Sequence, residues 1–191
     1  KNKDFSLEQI IKLKNIWNKI NLTFFSTPGD FSSLKKILKA KVELIKISSG
    51  LLTNIPLIYE AAKSKTPLIM STGMAKKEDI DLAIRTAKKA YKSIKLYILK
   101  CSSIYPPKDS SLNLESIEEL KKNYKLPVGY SDHTVDRLAS IVAVSKGAII
   151  IEKHFKLSSK HKCPDEKISL DPKEFKKMCK EIKRIKIMRG T

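Results

Sequence analysis

Cysteine is scarce in this chain of 191 residues. Cys101, Cys163 and Cys179 are widely spaced and form no CxxC pair, so the sequence indicates neither a zinc site nor a disulfide framework. No apolar run approaches the length of a membrane span. The polar start of the chain also lacks the apolar core of a signal peptide. We therefore expect a reduced, cytoplasmic setting and no membrane partner.

Acidic residues are few relative to basic ones. The chain has 39 Lys and Arg residues against 20 Asp and Glu residues, which gives a formal net charge of +19. A field of this sign attracts phosphate-bearing partners, including nucleic acid. Lysine dominates, however, and is spread along almost every predicted helix, without an arginine cluster or interleaved aromatic residues. We therefore expect no nucleic-acid partner, although a phosphorylated small substrate would use the same field.

Short β-rich runs alternate with helical patterns along the chain. Six strands are predicted, at residues 22–26, 43–47, 66–71, 95–101, 127–130 and 148–152. The first helix follows a capping box at Ser6, and the last follows the cap Asp171. Strict alternation implies a parallel sheet with right-handed crossovers. We predict one α/β domain over residues 1–191, a partial (β/α)₈ (TIM) barrel of about six units that lacks its first two strands.

A doubly wound, flavodoxin-like sheet is the structural alternative to a barrel. Such sheets bind phosphates through loops that follow a strand, and those loops are often rich in glycine. The chain has only six glycines, and no glycine-rich loop follows any predicted strand. The barrel is therefore the preferred prediction.

Two of the three histidines, His133 and His154, follow adjacent predicted strands. Active sites of βα barrels lie at the C-terminal ends of the strands. Strand periodicity places Glu152 and His154 on one face and Lys153 on the other. If that face is the barrel interior, two neutral imidazoles could hold one divalent metal with positions open for oxygen ligands. The alternative is a pair of hydrogen-bonded interior histidines.

Lys46 lies near the end of an apolar strand, where an unpaired ammonium group is costly. An anionic ligand, such as a carboxylate or a phosphate, would supply the partner. An internal salt bridge to a carboxylate such as that of Glu152 would serve equally well. Tyr105 precedes two prolines that stiffen its loop, and it is either a substrate hydrogen-bond donor or packing at the barrel rim.

A series of motifs, in order along the chain, resembles those of one enzyme family. The motifs are FSTP (25–28), KISSG (46–50), TNIPL (53–57), PLIMSTGM (67–74), CSSIYP (101–106), VGYSDHT (128–134), IEKHF (151–155) and PD (164–165). Through these motifs the chain resembles the N-acetylneuraminate (sialic acid) synthases and their legionaminate and pseudaminate relatives. The resemblance covers residues 5–188 and corresponds to the phosphoenolpyruvate-binding barrel of these enzymes.

The resemblance implies a transferase that condenses phosphoenolpyruvate with an N-acetylated amino sugar similar to N-acetylmannosamine. The product would be a nonulosonic (sialic-type) acid, and phosphate would be released. The implied cofactor is a divalent metal, Mn²⁺ or Mg²⁺, with His133 and His154 as its ligands. The implied catalytic residues are Lys46, Tyr105, Glu152 and Asp165. The implied phosphoenolpyruvate contacts are Thr27, Lys46, Ser49, Ser103, Tyr105 and Ser131, and the implied sugar contacts are Tyr105 and Asp165.

The chain departs from the family pattern at two positions. Leu51 stands where sialic acid synthases often carry a glutamate that meets the sugar, and Cys163 replaces the glycine usual before the Pro-Asp pair. The resemblance also implies a homodimeric parent protein. It further implies that two barrel strands and a C-terminal antifreeze-like domain are absent here, and we therefore expect these residues alone to be inactive.

Three alternative functions stay open at the level of the sequence. The first is another phosphoenolpyruvate-dependent or aldolase-type barrel with a different acceptor. The second is a catalytically inactive barrel that acts as a binding or assembly module, which the leucine at position 51 suggests. The third is a basic nucleic-acid binder, for which only the net charge speaks.

Overall fold

The computed structural model of the protein describes residues 5–190. The chain divides into two compact units, Lys1–Tyr97 and Ile98–Thr191. The first unit contains the helices α1 (Leu7–Lys19), α2 (Phe31–Lys39), α3 (Ile55–Lys63) and α4 (Lys77–Ala90), a 3₁₀ turn at Ser49–Leu51, and the strands β1 (Ile45–Ile47) and β2 (Leu68–Ser71). Strand β3 (Leu96–Cys101) runs across the boundary. The second unit contains the helices α5 (Ser116–Tyr124), α6 (Leu138–Ser145) and α7 (Pro172–Met188), 3₁₀ turns at Asp109–Ser111 and Glu166–Ile168, and the strands β4 (Val128–Asp132) and β5 (Ile151–Lys153).

The described strands follow the order β1-β2-β3-β4-β5, and the recorded pairings are parallel. Each strand therefore neighbours the next strand along the chain. A doubly wound sheet instead reverses its order at a switch point. The sequential order confirms the predicted α/β class with barrel-type βα units and argues against the flavodoxin-like alternative. The prediction that the chain forms one domain stays a prediction.

The core of the first unit lies around β1 and β2, whose residues are all buried. Ile45, Ile47, Leu68 and Met70 have no exposed surface. Parallel strands that are covered on both sides consist largely of apolar residues in a continuous run. Such runs are the sequence pattern from which these two strands were predicted. Each of these side chains contributes about 1.5–3 kcal/mol through its burial.

The predicted strand at residues 22–26 is wrong in its extent. Only Ser26 pairs, in a single parallel bridge with Ile45, and its carbonyl accepts the N–H of Lys46 at 3.1 Å. Leu22 belongs to the end of α1 instead, because its N–H donates to the carbonyl of Trp17 at 3.0 Å, and residues 23–25 form neither helix nor strand. The first of the six predicted βα units is thus present as one bridge rather than as a strand.

The helix termini agree with their sequence signals. Ser6 caps α1 in a capping box with Gln9, and Asp171 caps α7 by accepting the N–H of Glu174. The last predicted strand begins at Ile151 rather than at residue 148, because the N–H of Ala148 still closes α6 by donating to the carbonyl of Ala143. None of the helices within residues 5–190 is both long and apolar enough to cross a membrane.

Candidate active site

The ends of β4 and β5 bring polar side chains together in the second unit. The strand register aligns Ser131 with Glu152, and the Ser131 hydroxyl donates to Glu152 Oε1 at 2.6 Å. The ring centres of His133 and His154 lie 5.5 Å apart with an interplanar angle of 73°. The structure therefore brings together the two histidines that the sequence singled out.

His133 is held in one orientation by a backbone carbonyl. Its Nδ1 lies 2.6 Å from the carbonyl oxygen of Ser102. A carbonyl can only accept, so Nδ1 carries the proton and Nε2 keeps a free lone pair. Nε2 lies 3.4 Å from Ser131 Oγ, whose proton is directed to Glu152. Burial lowers the pKa of His133 below its ordinary value, which favours the neutral imidazole.

His154 has the same arrangement with a carboxylate as the acceptor. Its Nδ1 lies 3.3 Å from Asp165 Oδ2. A carboxylate beside Nδ1 leaves Nε2 to face a ligand, as in the carboxylate–histidine pairs of metal sites. Asp165 comes from the loop before the 3₁₀ turn Glu166–Ile168, so the loop that follows β5 places its carboxylate beside this imidazole.

Tyr105 covers the histidine pair on one side. Its ring stacks on His133, with ring centres 4.0 Å apart and planes inclined by 22°, and it meets the edge of His154 at 5.9 Å. Burial raises the pKa of Tyr105, so the phenol keeps its proton near neutral pH. About half of the residue stays exposed, and the phenol can therefore donate a hydrogen bond to a bound molecule. Ser103, in the same loop, is half-buried.

The two imidazoles fit a divalent cation bound by two protein ligands. Within residues 5–190, no group of three or more His, Cys, Asp or Glu side chains is arranged to hold a metal ion. Two imidazole nitrogens about 2.1 Å from one ion at a tetrahedral angle place their ring centres roughly 5 Å apart. The observed 5.5 Å agrees with this geometry. Water and substrate oxygens would supply the remaining ligands.

The first unit carries a second polar set at the ends of β1 and β2. The register aligns Lys46 with Ile69, so alternation places Lys46 and Ser71 on the same face. Both are buried, with 6% and 2% of their surface exposed. Ser49 is half-buried at the start of a 3₁₀ turn, and Thr27 is exposed.

Ser71 is not among the site residues predicted from the sequence. The structure shows a buried Ser71 hydroxyl without a hydrogen-bond partner among the described residues. Its signal in the sequence was a serine at the end of an apolar strand, next to Thr72. Lys46 and Ser71 belong to the first unit and the histidine pair to the second, and that both sets face one cavity stays a prediction.

Comparisons with known proteins agree with the motif resemblance. The sequence model of the NeuB family matches residues 1–191. The N,N′-diacetyllegionaminic acid synthase of Campylobacter jejuni is 39% identical over 173 residues, which are 90% of this chain and 52% of that protein. The protein of the same name from Legionella pneumophila is 36% identical over 191 residues, which cover 98% of this chain and 54% of that protein. The chain thus spans about half the length of these curated relatives.

A solved structure shows the same fold. The crystal structure of N-acetylneuraminic acid (sialic acid) synthetase from Leptospira borgpetersenii, in complex with citrate, matches with a TM-score of 0.94 and 36% sequence identity. The match covers 98% of this chain and 65% of that one. These relatives are named as synthases or synthetases, which gives no support to the alternative of an inactive barrel.

Proposed function

This chain belongs to the NeuB family, and on that basis we propose that it forms part of an enzyme that makes a nonulosonic acid. The proposed reaction joins phosphoenolpyruvate to an N-acetylated amino sugar. A carbon–carbon bond forms between the methylene carbon of phosphoenolpyruvate and the aldehyde carbon of the open-chain sugar. Water adds to the former enol carbon, and phosphate leaves with cleavage of its bond to that carbon.

The observation that carries this proposal is the pair of oriented imidazoles. His133 and His154 each place Nδ1 near an acceptor, 2.6 and 3.3 Å away, so Nε2 of each ring can offer its lone pair to an ion. A divalent cation such as Mn²⁺ or Mg²⁺ held there would polarise the aldehyde oxygen. Such a pair, with open positions for oxygen ligands, is what an aldehyde acceptor requires, whereas histidines that only stabilised an interior would not need both rings to be oriented through Nδ1.

The remaining residues have roles in binding and orientation. The Lys46 ammonium would attract the phosphate or carboxylate of phosphoenolpyruvate, with hydroxyl groups from Thr27, Ser49, Ser71 and Ser103 as further donors. The Ser131 hydroxyl, which donates to Glu152 in the structure, would become a donor to the substrate by rotating toward it. The Tyr105 phenol, which keeps its proton, would donate to a substrate oxygen. Glu152 accepts the Ser131 hydroxyl and so fixes it. Asp165 orients His154 and would also contact the sugar.

The acceptor sugar is proposed from the relatives and from Leu51. Two relatives are named for N,N′-diacetyllegionaminic acid, which favours an acceptor with two acetamido groups. A leucine cannot accept a hydroxyl proton, but it can pack against a methyl group. We therefore expect a diacetamido sugar to be preferred over N-acetylmannosamine. A homodimer and a cytoplasmic location are part of the same proposal, and light scattering tests the first.

A binding experiment tests the proposal on the chain as it is. Mn²⁺ binding is measured by electron paramagnetic resonance, and broadening of the ³¹P signal of phosphoenolpyruvate by bound Mn²⁺ shows whether the two are neighbours. We expect broadening beyond a protein-free control, and loss of the excess in His133→Ala. Phosphate release and product mass are then measured with the amino sugars and with simple aldehydes. Broadening equal to the protein-free control, or condensation of simple aldehydes alone, would refute the proposal.

A further inference from the structure

A buried ion pair lies directly beside the histidine pair in sequence. The β4–β5 register aligns Asp132 with Lys153, and each of these residues precedes one of the two histidines. Lys153 Nζ lies 3.2 Å from Asp132 Oδ1, and neither side chain has any exposed surface. By strand alternation the pair faces away from Ser131 and Glu152. It is therefore on the opposite side of the strands from the proposed chemistry.

The hydrogen bonds of this pair hold the residues on both sides of His133. Asp132 Oδ1 accepts the N–H of Thr134 at 2.8 Å and its hydroxyl at 2.7 Å, and Oδ2 accepts the Ser140 hydroxyl at 2.5 Å. Lys153 Nζ donates to the carbonyl oxygen of Thr134 at 2.6 Å. One ammonium group thus contacts the residue before His133 and the residue after it.

From this arrangement we infer that Asp132 and Lys153 are positioning residues, which fix the backbone of His133 relative to His154. Lys153 is covalently joined to His154 and bonded to both neighbours of His133, so it relates the two imidazoles directly. The inference rests on the proposed function, because the spacing of the imidazoles matters only if both bind one ion. The pair itself lies on the opposite face of the strands from Ser131 and Glu152 and would touch neither substrate nor metal.

Stability alone does not account for this pair. A buried ion pair pays a large desolvation cost, and an apolar pair of similar volume often stabilises a protein as well or better. An apolar residue at position 153 could fill the same space, but it could not bond to Thr134 and Asp132 together. Beyond packing, the ion pair therefore fixes the position of the backbone on both sides of His133.

The test uses the double variant Asp132→Asn/Lys153→Met of the full chain. The amide oxygen can still accept the Thr134 N–H, and no unpaired charge stays buried, so the variant is expected to fold. Mn²⁺ affinity is measured by electron paramagnetic resonance. We expect its dissociation constant to rise at least tenfold, as for other groups that support metal ligands. Asp132→Asn/Lys153→Leu, which also leaves no buried charge without a partner, serves if this double variant does not fold.

A readout without metal is the tautomer of His133, which long-range ¹H–¹⁵N spectra report. The wild-type chain is expected to hold the Nδ1–H form through Ser102, and the double variant to populate the Nε2–H form as well. Ile117→Ala is the matched control, because Ile117 is fully buried in α5 of the same unit and its loss should lower stability without changing either readout. Unchanged affinity and tautomer in the double variant would overturn the inference.

The outcome also separates this inference from the proposed function. If His133→Ala binds Mn²⁺ as tightly as the wild type, the proposed metal site fails, and the positioning role toward a metal fails with it. If His133→Ala loses Mn²⁺ while the double variant keeps wild-type affinity and a single tautomer, only the positioning role fails.

Discussion

Gly129 is the position at which the structure predicts the sharpest effect of a single methyl group. This glycine lies in β4, opposite Leu99 of β3. A Cβ atom there would lie 2.5 Å from Leu99 Cδ2, 2.6 Å from the carbonyl oxygen of Ile150 and 2.7 Å from Ile150 Cβ. Only the first of these atoms ends a flexible side chain. The other two belong to the backbone and to the base of a side chain, and they cannot move without the chain that leads into β5.

The size of the effect follows from these distances. Ordinary contact begins at 3.4 Å, so the carbonyl oxygen must retreat by about 0.8 Å to relieve the overlap. Overpacking of this kind costs 1–3 kcal/mol, and we expect Gly129→Ala to lie at the upper end, about 3 kcal/mol. For a chain of this size the midpoint of thermal unfolding should fall by roughly 6–12 °C.

Urea unfolding followed by circular dichroism measures this change. Gly29→Ala is the matched control, because a Cβ atom at Gly29 would meet nothing within 4 Å. We expect the control to alter the free energy of unfolding by no more than about 0.5 kcal/mol. If Gly129→Ala lowers the free energy of unfolding by less than about 1 kcal/mol, β4 separates easily from the chain that leads into β5. The reasoning from close packing at Gly129 would then be refuted.

Three further predictions concern other parts of the chain. Ser71→Ala should leave stability unchanged or slightly higher, because its buried hydroxyl has no partner among the described residues; it should weaken phosphoenolpyruvate binding about tenfold, which calorimetry measures. Burial raises the pKa of Tyr130, so above about pH 10 the unfolded chain loses a proton that the folded chain retains, and stability falls. Tyr130→Phe should reduce this loss of stability at alkaline pH, which urea unfolding at a series of pH values measures. A pH profile identical to that of the wild type would show that Tyr130 does not cause the loss. Arg137→Ala removes bonds of 2.6 and 2.7 Å to Glu174 and Glu181 of α7, and should lower stability by about 1 kcal/mol, less in 0.5 M salt; a loss independent of salt would contradict an ionic role.

The elements with local signals were predictable from the sequence. Ser6 and Asp171 cap their helices where the pattern placed them, because a cap is decided within four residues. The strand prediction at residues 22–25 was wrong for the opposite reason. These residues read as β-prone, but the N–H of Leu22 bonds back to α1, and strand formation depends on a partner that a single stretch of sequence does not reveal.

The candidate site was predictable in its residues and not in its supports. His133 and His154 stood out because each follows an apolar strand. The acceptor that orients His133 is the backbone carbonyl of Ser102, and every residue has such a carbonyl, so no residue type could signal it. The pairing of Asp132 with Lys153 was equally hidden, because periodicity gives the face of Lys153 but not the strand register.

Register is selected on both faces of β4 and β5 at once. A slip by one residue would turn every side chain to the other face. On one face it would break the 2.6 Å bond from Ser131 to Glu152, and on the other it would leave the charges of Asp132 and Lys153 buried without each other. The second loss is the larger, since a buried charge deprived of its partner costs about 3–5 kcal/mol. The ion pair, although it lies on the other face of the strands from Ser131 and Glu152, therefore makes the one register that places His133 beside His154 the only one the strands can adopt at low cost.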